Sequence, residues 1–390
     1  MLRVWQKFTV ALIMLFLCLP VGDAVAAKAH ATKEPQLTAQ AAILVELNTG
    51  RAIYEKNADE RRYPASMTKM MTAILAIEHG NLRDNMSVSS SAAATEDSAL
   101  GLTIEEMLTM EEAVTGMMLV SDNGAAVAIA EHISGNTQAF AELMNDKARQ
   151  IGCQDTHFVN PNGLPNEEHY STARDMAKIA AYGLKNKKFA DIVRIQKAAI
   201  HYVLPPDKFT VVENTNELLQ DFDGAIGIKT GWTRAAGGCL AAAAKRGGVT
   251  LIAIIMGAPD VDTRFADARE LLDYGFGRVK MHRGVSAART QTGIWVKDGT
   301  EYKVTAGPVT DVDYPLIDGE TPDKYSYRYD LPRFLTAPAV KGDKVGKLVL
   351  QYDGVPVGDV DVALRETVPQ GFSFLSFFFV GLLDLLSTIF

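Results

Sequence analysis

The rhythm of apolar and polar positions changes several times along this chain. Behind the positive pair Arg3 and Lys7, Phe8 to Leu19 is unbroken apolar sequence, stopped by Pro20 and followed by the small residues Ala24, Ala26 and Ala27. That is the pattern of a cleaved export signal. A run of about 12 residues is too short to span a bilayer. The sequence predicts a signal peptide over 1–27 and a polar linker over 28–38. Cys18 follows Leu17 rather than a small residue, so no lipid attachment is expected there.

From 39 to 280 strand and helix periods alternate. Ala42–Leu47, the turn formers Asn48-Thr49-Gly50, and Arg51–Tyr54 read as a hairpin. Pro64 opens a helix of about 15 residues whose apolar face is Met70, Met71, Ile74, Leu75 and Ile77. Thr109 with Glu112 forms a capping box ahead of Ala113, Val114, Met117 and Met118. That helix ends at Ser121-Asp122-Asn123-Gly124, and another runs from Ala125 to Ile133. Thr172 with Asp175 marks a further N-terminus. Val249–Met256 reads as a central strand, and Asp262–Tyr274 returns to helical spacing.

Over 284–367 the pattern is short alternating strands between Gly, Pro and Asp turns: Ile294–Val296, Tyr302–Val304, Tyr325–Tyr329, Lys347–Leu350 and Val360–Val362. This predicts a small all-β domain. In 371–390 the polar residues Ser373, Ser376, Asp384 and Ser387 share one helical stripe opposite Phe374, Phe377, Phe378, Leu382, Leu385 and Leu386. A narrow polar stripe suits a helix lying on a membrane surface. Asp384 disfavours a spanning one.

Composition narrows the class. With 47% hydrophobic and 22% charged residues the chain is globular rather than disordered. The net charge of −8 becomes −9 once 1–27 is removed, and no basic stripe exists, so nucleic acid is not an expected partner. Cys153 and Cys239 remain after processing, too few for a disulfide framework; separate buried thiols are expected. No Cys or His cluster has metal-ligand spacing, and neither metal nor cofactor is expected.

The chemistry lies in three strings: Ser66-Met67-Thr68-Lys69, Ser121-Asp122-Asn123 and Lys229-Thr230-Gly231. Alone, the first is a helix cap with a solvated lysine, the second a helix stop, and the third a strand entering a turn. Together, in this order, they read as a serine acyl-transfer site whose base is a lysine. A serine hydroxyl needs a base beside it. Helical residues three apart share a face, about 5–6 Å apart at Cβ, which sets Ser66 beside Lys69. Lys69 acts as a base only when neutral, and burial or a second cation, here Lys229, lowers its pKa. In a strand Lys229 and Gly231 share one face. Lys229 then meets a substrate carboxylate, and Gly231 leaves room for a substrate backbone. The N–H groups of Ser66 and Trp232 are the expected oxyanion donors, a device that supplies about 3–4 kcal/mol. Ser121 relays a proton and Asn123 holds the substrate amide. Asp122 is read as structural, and Trp232 as a bulky neighbour that narrows the approach.

The chain resembles the low-molecular-mass penicillin-binding proteins that are D-alanyl-D-alanine carboxypeptidases (the S11 serine peptidases). Beyond the three strings, the likeness includes Ala42–Glu46 with Asn48-Thr49-Gly50, Tyr63–Thr72, Thr156–Leu164 and Gly227–Thr233. It implies an α+β fold, with a serine β-lactamase-like catalytic domain (an antiparallel sheet with packed helices) over 39–280 and then the all-β domain. It also implies removal of the terminal D-Ala from peptidoglycan stem pentapeptides through a Ser66 acyl-enzyme, acylation by penicillins, and a location on the outer face of the cytoplasmic membrane. By resemblance, Arg264 lies near the substrate carboxylate; read alone it is a surface ion-pairing residue.

Two other readings use the same strings. A class A β-lactamase needs an extra glutamate for deacylation, but Asn166–Tyr170 does not match the E-x-x-L-N pattern. A wall-binding protein without activity would not need all three strings.

Overall fold

The structure, a computed structural model, describes residues 33–374 and Phe378. The signal peptide, the start of the linker and most of the 371–390 segment lie outside the described residues. The end of the linker is docked rather than free. Leu37 is buried, and the Thr38 and Ala39 amides donate to the Asp267 carboxylate at 3.0 and 2.7 Å.

The sheet of the first region has five antiparallel strands: β1 (Ala41–Glu46), β2 (Ala52–Lys56), β3 (Ala225–Thr233), β4 (Gly237–Arg246) and β5 (Val249–Ala258), in the spatial order β2-β1-β5-β4-β3. Side chains alternate across it as a two-residue period demands. Ile43, Val45, Ala241, Ala243, Ile252 and Ile254 join one core, and Ala42, Leu44, Leu240, Ala242, Leu251 and Ala253 join the other.

The first core is covered by α1 (Lys69–His79), α2 (Met110–Val120), α3 (Asn123–Ser134), α4 (Thr137–Ile151) and α5 (Ala173–Lys185), and the second by α6 (Thr263–Phe276). The expected caps form: Thr109 accepts from the Glu112 amide at 3.2 Å and Thr172 from the Asp175 amide at 3.1 Å. A second sheet of four short strands (Asn85–Ser87, Met107–Thr109, Lys197–Leu204, Phe209–Glu213) flanks the helices.

The strand Val279–Val285 bridges the two regions: it pairs with Val312–Ile317, Val279 and Ile317 pack into the core under α6, and Val285 and Val312 join the core of the second region. Six further strands form one sheet around a core that includes Val296, Val304, Leu348, Leu350 and Val362. The two regions meet at Arg51, just past the β1–β2 turn. Its guanidinium grips Glu320 through two hydrogen bonds (2.8 and 2.6 Å), donates to Tyr325 Oη at 2.7 Å and lies 3.7 Å from the Tyr352 ring centroid. Burial pulls Glu320 upward, but the hydrogen bonds from Arg51, then Tyr352 and the Ile317 amide, outweigh it and hold the carboxyl at about 2, well below the usual carboxylate range.

Candidate active site

Ser66 does not sit in the first turn of a regular helix, as its spacing predicts. It lies in a 3₁₀ turn, Ala65–Thr68, that feeds into α1. Ala65 just before it takes φ 49°, unusual for a residue with a side chain. The turn is held from two sides. A Cβ on Gly163 (φ +88°) would fall 1.9 Å from the Ala65 carbonyl oxygen, and one on Gly231 would fall 3.0 Å from the Ser66 nitrogen. The protein's own Ser66 turn lies beside Gly231, so a side chain on this strand position would crowd that turn.

Lys69 is fully buried, with its Nζ 2.9 Å from Ser66 Oγ, 2.6 Å from Asn123 Oδ1 and 2.8 Å from the Asn162 carbonyl oxygen. Burial lowers its pKa to about 7, against an upward pull from Asp122 and Asp97. A neutral amine has two N–H groups and one lone pair. The two carbonyl oxygens take the two hydrogens, which leaves the lone pair for the Ser66 hydroxyl. Of the two causes the sequence offered for a lowered Lys69, burial and a neighbouring Lys229, burial is the one at work. The repulsion is felt at Lys229, whose pKa is pushed well below its ordinary value by burial and then by Lys69 and Arg264.

The second string forms the junction of α2 and α3. Ser121 ends α2 in the left-handed region (φ 64°) and is half-buried, while Asp122 caps α3 by accepting from the Ala125 amide at 2.6 Å. Ser121 Oγ makes no hydrogen bond to Ser66, Lys69 or Lys229. Asn123 is oriented at both ends, Oδ1 toward Lys69 and Nδ2 donating to the Glu96 carbonyl at 2.9 Å. It therefore positions the lysine as well as facing the site.

On β3, Lys229 Nζ donates to the Thr230 carbonyl at 3.0 Å. Thr230 is buried, with its hydroxyl 2.7 Å from that of Thr215. Trp232 is 53% exposed at the rim. Arg264 reaches the same strand from α6, its Nη1 donating to the Gly231 carbonyl at 2.7 Å. Ser66, Lys69, Asn123, Lys229, Thr230, Gly231 and Arg264 thus form one connected group.

The strings did not point to the residues that support this group. Thr72 donates to the Pro161 carbonyl at 2.6 Å, and the same 160–164 loop supplies Asn162 to Lys69. His169 is buried and accepts from the Val159 amide on Nδ1 (3.2 Å), so its Nε2–H donates to Thr68 Oγ1 at 2.8 Å. Burial drops its pKa to about 4. The sequence signals near these residues were the stretches Tyr63–Thr72 and Thr156–Leu164 that carry the resemblance; nothing singled out His169. Cys153 and Cys239 are free thiols, raised by burial to about 12 and about 11.

Comparison with known proteins agrees with the resemblance carried by the three strings. Residues 28–260 match the family described as D-alanyl-D-alanine carboxypeptidase, and residues 288–370 match the penicillin-binding protein 5 C-terminal domain. The chain is 34% identical to D-alanyl-D-alanine carboxypeptidase DacF of Bacillus subtilis (strain 168), over 89% of this chain and 90% of that protein. It is 32% identical to DacA of Haemophilus influenzae, over 86% of each. Among solved structures, penicillin binding protein 5 from Haemophilus influenzae superposes with a TM-score of 0.65 at 31% identity, covering 86% of this chain and 99% of that one. D-alanyl-D-alanine carboxypeptidase DacD from Francisella tularensis gives 0.61 at 29% identity, over 86% and 94%. The chain belongs to the D-alanyl-D-alanine carboxypeptidase family of serine-type peptidases, with a penicillin-binding-protein catalytic fold followed by an all-β domain.

Proposed function

We propose that this enzyme removes the terminal D-Ala of peptidoglycan stem pentapeptides through an acyl-enzyme on Ser66, and that penicillins acylate the same oxygen. The observation that carries the reading is the buried Lys69 amine, 2.9 Å from Ser66 Oγ, with its pKa near 7 and carbonyl oxygens on two of its valences. Lys69 takes the Ser66 proton as the oxygen attacks the penultimate carbonyl. The N–H groups of Ser66 and Trp232 receive the oxyanion. Ser121 carries the proton to the leaving amine, and the C–N bond breaks to release D-Ala. Water then attacks the ester as Lys69 takes its proton, the bond from Ser66 Oγ to the carbonyl carbon breaks, and the proton passes to Ser66 Oγ as the shortened peptide leaves.

Lys229, Thr230 and Arg264 face the terminal carboxylate. An arriving anion favours the charged form of Lys229, which burial otherwise disfavours. Asn123 and Gly231 line the peptide's path, and Trp232 limits its breadth. Against the β-lactamase reading, Glu167 and Glu168 are exposed and their carboxylates bond to none of Ser66, Lys69 or Ser121.

We place the enzyme outside the cytoplasmic membrane after removal of 1–27, with the catalytic domain over 39–280, the β domain over 284–367 and attachment to the membrane surface through 371–390. Supporting the attachment, Phe372, Phe374 and Phe378 are 79%, 69% and 54% exposed. Among the described residues no helix is long and apolar enough to cross a membrane. Loss of membrane partitioning on deletion of 371–390 is the expected result, and unchanged partitioning would refute the attachment.

The test of the activity is D-Ala release from diacetyl-Lys-D-Ala-D-Ala by protein lacking 1–27 and 371–390, beside its Ser66→Ala variant. Release by the first and none by the second is expected, with a penicillin adduct on the Ser66 peptide. No release by the parent protein would end the reading.

A further inference from the structure

The Thr230 hydroxyl has one hydrogen-bond partner among the described residues, the hydroxyl of Thr215 at 2.7 Å. Thr215 lies in the turn Asn214-Thr215-Asn216, outside all three strings and 15 positions before Thr230, and its side chain is exposed beside the buried Thr230. Thr215 is also tied to the end of α2. Its amide donates to the Leu119 carbonyl at 3.0 Å, and its Oγ1 lies 3.3 Å from the same oxygen.

Each hydroxyl has one proton to give, so only two arrangements satisfy this chain. In the first, Thr230 donates to Thr215 and Thr215 donates to Leu119. Thr230 then offers only lone pairs to a ligand, which repel a carboxylate. In the second, Thr215 turns its proton onto Thr230 Oγ1, and the Thr230 proton is free to point outward. The second arrangement gives up a long contact at 3.3 Å, while the Leu119 carbonyl keeps the Thr215 amide at 3.0 Å. No buried acceptor is stranded, so the reversal is cheap.

We propose that Thr215 is a positioning residue that reverses the Thr230 hydroxyl, turning it from an acceptor into a donor when a carboxylate-terminated substrate enters. No proton is transferred between heavy atoms; two hydroxyl rotors turn together. The inference rests on the carboxypeptidase reading above, because it needs a terminal carboxylate beside Thr230. It also ties the third string to the second, since Leu119 is two residues before Ser121.

The experiment compares two depsipeptides, diacetyl-Lys-D-Ala-D-lactate and its methyl ester, on the parent protein, Thr215→Val and Thr215→Ser. Valine keeps the shape and the backbone amide but has no proton to give. For Thr215→Val, kcat/KM on the free carboxylate is expected to fall about ten- to a hundredfold, the usual worth of a hydrogen bond to a charged group. On the methyl ester the change is expected to stay within about threefold, since a neutral acceptor gains far less from the donor. Thr215→Ser is expected to restore the carboxylate substrate to within about threefold of the parent. Equal losses on both substrates, or no recovery with serine, would make Thr215 merely structural and overturn the proposal. Failure of the parent protein to cleave either depsipeptide would overturn the carboxypeptidase reading, and this inference with it.

Discussion

At the joint between the two regions Arg51 and Glu320 are held as an opposite pair by two hydrogen bonds, with Tyr325 and Tyr352 around them. In the active site Lys69, Lys229 and Arg264 are also buried, but no carboxylate hydrogen-bonds any of them among the described residues. Pairing fixes charge: Glu320 titrates at about 2 and Arg51 is pushed higher still. Burial without a paired carboxylate loosens it: Lys69 drops to about 7, and Lys229 falls well below its ordinary value through burial and then its cationic neighbours Lys69 and Arg264. The first arrangement holds two regions together. The second creates an amine whose proton is easily gained or lost near neutrality, which general-base chemistry requires.

The largest way to break this contrast is at Lys69. Replacement by Met removes the base, and D-Ala release should fall about 10²–10⁴-fold. Replacement by Arg should fare no better, because a guanidinium stays charged. Steady-state kinetics on the diacetyl-Lys peptide checks both. Next comes the turn that aims Ser66. Gly231→Ala sets a Cβ 3.0 Å from the Ser66 nitrogen, and the displaced turn should cost about a hundredfold in penicillin acylation rate while the protein stays folded.

Much of this was legible in the sequence, and what was not has particular causes. The caps at Thr109 and Thr172, the β1–β2 hairpin and the 249–258 strand follow from local rules. Strand β4 does not. Leu240-Ala241-Ala242-Ala243-Ala244 is the composition of a good helix. It becomes a strand because it lies between β3 and β5 with a buried core on each face. The 3₁₀ turn at Ser66 was hidden for a similar reason, since Ala65 takes a positive φ only against the far-off Gly163. The three strings named the groups proposed to react, but Asn162, His169 and Thr215 reach them through bonds from loops outside the strings, and no spacing encodes that. Arg51 looked like an ordinary hairpin residue until Glu320, 269 positions away, was brought to it.

The joint should respond more modestly than the site. Arg51→Ala leaves Glu320 half-buried without its partner, and about 1–3 kcal/mol of stability should be lost. Chemical denaturation reads this, with D-Ala release from the folded protein little changed.

Acid should separate the two regions. His169 titrates at about 4 in the folded protein, below its ordinary 6.5, so the stability its neutral ring supplies is full above about 6.5 and declines as pH falls toward 4. Glu320, at about 2 against an ordinary 4.5, holds its contribution down to about 4.5 and loses it as pH falls toward 2. At pH 5, hydrogen exchange corrected for its intrinsic pH dependence should therefore rise in the 158–172 segment and not in 312–328. The smallest effect is expected at Lys187→Ala. That lysine pairs with Asp191 on the surface with its side chain 88% exposed, and the loss should stay within about 0.5 kcal/mol by thermal unfolding.

The central claim, an uncharged Lys69 beside Ser66, is tested most directly by the pH dependence of Ser66 acylation under single-turnover conditions with a penicillin. The rate should rise tenfold per pH unit below about 7 and level off above it, as Lys69 loses its proton. A rate that keeps climbing to about pH 10, the ordinary range of a solvated lysine, would contradict the account.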